Sequence, residues 1–302
     1  MTHHYVAFIC ALAVLLPDVA WTQSSTWGDV KTRFSRSAAD RPLVDKDAVL
    51  VLDDTARRVI VKNEDRPLDV SYDAVEKVVF DVSTHMRGGL LGAAVGGGLG
   101  AAISSARIND YWAYLEYKTA DGVRPYMLEI PKDSSATLVE KMRSIFGERV
   151  TVADFAEKAE SAKKETLKDL NSKHDLIVDE RAHPMPEPRS DKALIVVVCP
   201  PLAARDAGKG NQVKLHANDR VIAVNKMGTY SFAYLDPGDY LLASQSENAS
   251  GFRMKLDAGG EYYFLQDTFT GAFKNRTGLS RHTKELVMYE MNGAYFSNWT
   301  RK

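Results

Sequence analysis

Cysteine is almost missing from this chain: Cys10 and Cys199 are the only two in 302 residues. A disulfide-dense scaffold and a Cys-rich zinc module both need a larger set of thiols, so both are excluded. Charge of one sign is missing too. The 39 Lys and Arg are matched by 40 Asp and Glu, a net charge of -1. Without a positive excess, the chain lacks the phosphate-neutralising footprint of a nucleic-acid binder and the polybasic footprint of a membrane-surface protein. The signatures of common catalysis are also lacking. There is no H-E-x-x-H, no G-x-S-x-G elbow and no Walker loop. His85, His174, His183, His216 and His282 never stand three or four apart, so no helical zinc pair exists. Ser280-Arg281-His282 sets a hydroxyl near an imidazole, but triads assemble through the fold rather than along the chain, and this trio reads as a solvated loop. No catalytic residue, metal ligand or cofactor is assigned on these grounds.

What is present is an ordinary globular composition, 45% apolar and 26% charged, in a length that accommodates two domains. Val6–Leu16 is an unbroken apolar run, too short for a membrane span but the length of a signal-peptide core. Pro17, Ala20 and a polar stretch from Thr22 follow it. This order predicts a secretory signal over 1–20, with an uncleaved anchor as the alternative, and an extracytoplasmic location in the periplasm or cell envelope. Cleavage would remove Cys10. It would leave Cys199, at the end of Ile195–Val198, as a buried small hydrophobe.

Residues 21–44 read as an N-terminal extension, and 45–150 as a first β domain. Ala48–Asp53 and Arg58–Asn63 form a hairpin, and Val75–Val82 a third strand. Tyr111–Lys118 and Val123–Ile130 flank the turn signal Asp121-Gly122. The period then changes. Leu138, Val139, Met142, Ile145 and Phe146 make one helical stripe, capped by Asp133, Ser134 or Ser135 and stopped by Gly147. A small antiparallel sheet or barrel closed by a C-terminal helix results. Over 45–148 this order, with Val70-Ser71-Tyr72-Asp73-Ala74-Val75 before the third strand, resembles bacterial pleckstrin-homology-like domains.

Inside that domain, between the third and fourth strands, runs Gly88–Ala106. Gly88, Gly92, Gly96 and Gly100 recur every fourth residue, with Ala93, Gly97 and Ala101 in a parallel row. On a helix this spacing aligns the four glycines on one face, where another backbone can approach closely. The segment resembles the glycine zippers of bacterial envelope proteins. Its seven glycines would cost a free helix about 6 kcal/mol relative to alanine, so packing or lipid must offset them. A helix packed on a second copy or on its own domain, insertion into or onto a membrane, and a flexible loop are the three readings. Gly96–Ala101 also fits a loose dinucleotide fingerprint, but the strand–helix–strand context it requires is missing.

Residues 151–189 read as a linker. Val152–Lys173, rich in Ala, Glu and Lys, predicts a spacer helix capped by Thr151, with Glu160 and Lys164 as an i, i+4 pair. Pro184, Pro186 and Pro188 then predict an extended hinge. From 190 to 302 short strands alternate with turn signals, as in an antiparallel β-sandwich, with Tyr262–Gln266 and Leu286–Glu290 as its last strands. Lys192–Val198 with Pro200, the Pro237-Gly238-Asp239-Tyr240 turn, and Ala258–Tyr263 resemble a bacterial envelope domain family of unknown function, often found in lipoproteins. That family places Arg where this chain has Cys199. The resemblance implies a sandwich fold and an envelope location, and brings no activity.

The fold class is therefore mainly β, α+β overall. The functional expectation is a non-enzymatic extracytoplasmic envelope protein. Gly88, Gly92, Gly96 and Gly100 would mediate self-association or membrane contact, with a homo-oligomer or an envelope component as partner and no nucleic acid. The alternative is a ligand-binding sandwich recognising a sugar or an anionic envelope component. Its rim would be the basic cluster Lys274, Arg276, Arg281 and Lys284, near Tyr263, Phe269 and Phe273, or the loop at Gly208.

Overall fold

The computed structural model describes residues 24–35, 43–87, 106–155, 160–161, 173–201, 210–246, 249–270 and 275–302. The signal segment, the glycine ladder, Gly208 and Lys274 lie outside these residues. The described residues are mainly β with two α-helices, as the composition of strand signals predicts.

The first unit contains β1 (Ser25–Ser35), β2 (Leu43–Asp53), β3 (Arg58–Lys62), β4 (Leu68–Ser71), β5 (Val75–Arg87), β6 (Ala106–Thr119), β7 (Gly122–Ile130), α1 (Lys132–Phe146) and β8 (Val150–Val152). The strands form one eight-stranded sheet in the order β4-β3-β2-β1-β7-β6-β5-β8. Only the β5–β8 pair is parallel. Alternation explains the packing. Val30, Leu50, Leu52, Val59, Val61, Leu115, Tyr126 and Leu128 turn to one face and meet Leu138, Met142 and Phe146 of α1. Helix α1 begins two residues earlier than its first polar candidate suggested: Pro131 holds the cap position, and Asp133 lies in the first turn. Gly147 ends it with φ 58°, a conformation that a side chain disfavours.

Ser25–Ser35, expected as part of an extension, is a central strand between β2 and β7. Val30, Thr32 and Phe34 alternate into the interior, after a register shift between Trp27 and Val30. Strands β5 and β6 extend beyond their other partners. β7 pairs with β6 only from Tyr111 onward, and β8 pairs with β5 at Val78–Phe80. Among the described residues, Ser83–Arg87 and Ala106–Asp110 therefore pair only with each other, in a two-stranded arm whose last pair is Arg87 with Ala106.

The second unit contains β9 (Glu160–Ser161), β10 (His174–Asp179), β11 (Ala193–Cys199), β12 (Val213–Ala217), β13 (Arg220–Asn225), β14 (Thr229–Leu235), β15 (Gly238–Gln245), β16 (Ala249–Leu256), β17 (Glu261–Thr270), β18 (Asn275–His282), α2 (Lys284–Asn292) and β19 (Tyr295–Arg301). A six-stranded sheet β10-β19-β14-β11-β17-β18 faces a five-stranded sheet β13-β12-β15-β16-β9. Strand β11 shows why the run Ala193–Cys199 is apolar throughout: Ala193, Ile195 and Val197 point between the sheets, and Leu194, Val196 and Val198 point to the other face, which is also covered.

Three expectations are corrected. The six-stranded sheet is mixed, not antiparallel, because β11 runs parallel to β17 and β14 parallel to β19. Leu286–Glu290 is not a strand but the middle of α2. Thr283 caps that helix by accepting from the Leu286 amide, and Leu286, Val287 and Met291 form its buried stripe. No continuous helix spans Val152–Lys173. Val152 ends β8, and Glu160 and Ser161 pair with Gly251 and Ser250 at the edge of the five-stranded sheet. Edge pairing overrides a propensity of a few tenths of a kcal/mol per residue. The proline segment lies inside the second unit, since β10 precedes it and pairs with β19.

Gly251 is the tightest point of that edge. A Cβ there would stand 2.6 Å from the Ala243 Cα and against the Leu242 carbonyl. Gly251→Ala is expected to lower stability by about 1–3 kcal/mol through overpacking. A urea denaturation curve checks this, and an unchanged midpoint would refute the close approach.

Candidate functional site

The most concentrated buried chemistry lies where the outer face of the eight-stranded sheet meets α2 and the six-stranded sheet. Alternation places Lys77 and Asp81 of β5 and Arg33 of β1 on that face, opposite the residues that enter the α1 core. Apolar groups surround them. Leu43, Trp112 and Met127 of the first unit share one cluster with Leu194, Val196, Tyr263, Leu286, Val287 and Met291 of the second.

Two polar groups cross this apolar contact. In the first, Asp81 meets the end of β18 and the start of α2. His282 Nδ1 lies 3.2 Å from Asp81 Oδ1, and His282 Nε2 lies 2.8 Å from Ser280 Oγ. The second Asp81 oxygen accepts from the Thr283 amide and the Thr283 hydroxyl, both at 2.8 Å, and Oδ1 also accepts from the Val82 amide. Burial alone would raise the Asp81 pKa. The hydrogen bond and charge of His282, with the two bonds from Thr283, outweigh it and hold the carboxyl below its ordinary 3.8.

In the second group, Arg33 Nε lies 2.7 Å from Glu290 Oε1, its NH1 reaches Asp45 at 3.2 Å, and its guanidinium stacks 5.2 Å over the Trp112 ring. Burial pushes the Glu290 carboxyl up, and the Arg33 charge pulls it back only in part. Glu290 and Asp45 together hold Arg33 protonated despite its burial. The Tyr289 hydroxyl donates to the Arg33 carbonyl and receives Arg66 NH1 at 3.4 Å. Burial pushes the Tyr289 phenol up to about 12. A third contact, Lys77 with Glu285, sits at the rim. Helix α2 thus offers its capped start and Glu285 to β5, and Tyr289 and Glu290 to β1.

The series carboxylate–imidazole–hydroxyl formed by Asp81, His282 and Ser280 has the order used in acyl transfer. Here its surroundings commit it to joining elements: the His282 side chain is 1% exposed, and Asp81 also holds the first turn of α2. Ser280 and His282, expected in a solvated loop, stand on β18 facing this join. The join was missed in the sequence, yet a signal for it exists. Asp81 interrupts Val78-Val79-Phe80-Asp81-Val82, and Glu290 interrupts Leu286-Val287-Met288-Tyr289-Glu290-Met291. A charge inside an apolar run needs a buried partner.

The basic rim is dispersed. Arg276 and Arg281 are five apart on a regular strand, so they point to opposite faces of β18. Arg281 stacks on Phe155 and Tyr262 at 5.1 and 5.4 Å. Lys284 bonds Glu261 at 2.8 Å and lies over Tyr263, and this contact pulls the Glu261 carboxyl down. Cys199 is fully buried, and burial pushes its thiol up, away from the thiolate. Among the described residues no group of His, Cys, Asp and Glu is arranged to hold a metal, and no helix is long and apolar enough to cross a membrane.

No protein-family model matches this chain, and no curated protein matches it.

The lowered Asp81 pKa has a sign. Its stabilisation is fully present above 3.8 and is lost as pH falls through the lowered folded value. Asp81→Asn should therefore cost about 1.5–3 kcal/mol at neutral pH, the worth of a charge-assisted bond. The gap to wild type should close on acidification below 3.8. Urea midpoints across that range check it, and a gap that stays constant with pH would contradict it.

Proposed function

We propose that this chain is a non-enzymatic extracytoplasmic envelope protein whose glycine ladder, Gly88, Gly92, Gly96 and Gly100, mediates self-association or membrane contact. The observation that carries the reading is the β5–β6 arm. Five residue pairs of a two-stranded ribbon run out past every other described strand of the sheet and end at Arg87 and Ala106, the residues that bracket the ladder. Such an arm reaches about 17 Å, at about 3.3 Å per residue. A two-stranded ribbon alone is marginal in water, so an arm of this kind needs something at its end to bind. Because Arg87 and Ala106 are register partners, both ends of the segment start from one side, which favours contact or re-entry over a single crossing.

The resemblances support the same reading. An antiparallel sheet closed by α1 agrees with a pleckstrin-homology-like first unit, and a two-sheet second unit agrees with the envelope sandwich family. The non-enzymatic part is supported by the commitment of Asp81, His282 and Thr283 to holding α2. The rim alternative is the weaker reading, since Arg276 and Arg281 diverge and Lys284 is occupied by Glu261.

The test is membrane fractionation and cross-linking of wild type beside a Gly92→Leu/Gly96→Leu variant, which fills the small-residue face. Wild type is expected to sediment with membranes after a high-salt wash or to give a cross-linked oligomer, and the variant to lose that behaviour. Wild type and variant that are equally soluble and monomeric would overturn the reading.

A further inference from the structure

The proline segment between β10 and β11 is not a bare hinge. It crosses a row of aromatic rings on the outer face of the six-stranded sheet. Tyr230, Phe232 and Tyr234 lie at alternate positions of β14 and share one face, and Phe296 of β19 is the register partner of Tyr230. The rings touch in series. Tyr230 and Phe296 have centroids 5.5 Å apart, Phe296 and Phe232 6.0 Å, and Phe232 and Tyr234 6.1 Å.

The strap covers this row from end to end. His183 packs edge-on to Tyr230 at 5.0 Å, and the Arg189 guanidinium lies 4.1 Å over Tyr234. Between them the Tyr230 hydroxyl donates to the Pro184 carbonyl at 3.0 Å, and the Tyr234 hydroxyl donates to the Glu187 carbonyl at 2.8 Å. Pro184 and Pro186 are half-buried, while Met185 and Glu187 point outward and Met185 is 50% exposed.

The chemistry follows from the sequence. Every residue from His183 to Pro188 is either a proline, with fixed φ, or precedes one and is excluded from the helical region. The strap is thus extended before it binds and loses little entropy on docking. Phenol hydroxyls meet the carbonyls that a proline-rich chain leaves free, and the flanking His183 ring and Arg189 guanidinium pack on the end rings of the row. This is the recognition mode of aromatic grooves for proline-rich peptides.

We propose that the row Tyr230, Phe232, Tyr234 and Phe296 is a recognition surface for extended Pro-x-Pro-x-Pro segments of a partner protein, and that the chain's own strap occupies it in cis. This surface is independent of the glycine ladder. The strap forms no strand pair with the sheet beneath it. Side-chain contacts from Tyr230 and Tyr234 hold it, so it can leave without breaking a backbone ladder. A tethered strap competes at an effective concentration of about millimolar, so a free peptide binds the intact chain weakly.

The test uses the full chain and a synthetic peptide of residues 182–189. Fluorescence polarisation compares wild type with Pro184→Ser/Pro186→Ser/Pro188→Ser, which loosens the strap and leaves the rings intact. The triple variant should bind the peptide at least about tenfold tighter than wild type, as expected when a millimolar intramolecular competitor is removed. A peptide with alanine at the three prolines should not bind. Adding Tyr234→Phe should weaken binding about fivefold, the worth of one hydrogen bond, and leaves the ring row in place. Circular dichroism verifies that each variant is folded. A folded triple variant that binds no tighter than wild type, or one that binds the alanine peptide equally, overturns the proposal. A wild-type dimer that the peptide dissolves would also overturn it, in favour of strap exchange between two copies.

Discussion

Helix α2 has a capped start, an apolar stripe and an acidic end, and each is committed to a different partner. Leu286, Val287 and Met291 press into the six-stranded sheet. Asp81 of the first unit takes the Thr283 amide and hydroxyl at its start, and Arg33 takes Glu290 near its end. The consequence is a shared core. Trp112 and Met127 have no place in the α1 core, because strand alternation turns them the other way. They are covered only because α2 and the six-stranded sheet are docked over them. The apolar contact supplies most of the stabilisation at about 25 cal/mol per Å² buried, and the polar groups fix its register.

That division of labour explains the placing of the charges. A buried ion pair is weak evidence of stability, because desolvation offsets much of the attraction. Its removal by halves is what costs, since the remaining charge is stranded. Arg33 with Glu290 and Asp45, and Asp81 with His282 and Thr283, therefore act as selectors of one docking geometry. A one-residue slip of β1 or β5 would turn Arg33 or Asp81 into the α1 core, where no partner awaits it. Two β units joined this way form a firm base from which the β5–β6 arm runs out and across which the proline strap lies.

Much of this was legible in the sequence, and what was not has physical reasons. Period-two alternation gave the hairpin around Asp121-Gly122 and the two strands on either side of Asp236-Pro237, which pass from one sheet to the other, and the change of period at Leu138 gave α1. The Ala193–Cys199 run marked a strand buried on both faces. Strand β1 was hidden because a register shift near Asp29, which has φ 56°, breaks its alternation. Helix α2 was hidden because a short apolar run fits either period, and only the Thr283 cap and Gly293 decide it. Parallel pairing between β11 and β17 follows from how distant segments meet, which local pattern does not encode. The Asp81–His282 join spans 201 positions, so only the solitary charge in an apolar strand announced it.

Native-state hydrogen exchange in increasing urea tests the shared-core account most directly. If docking through α2 makes the two units one cooperative structure, the amides of Leu50 in β2, Val196 in β11 and Met291 in α2 lose protection through a single opening with one free energy and one denaturant dependence. If Leu50 exchanges through an opening of its own while Val196 and Met291 stay protected, the two units fold independently, and the buried contacts at α2 do not hold them together.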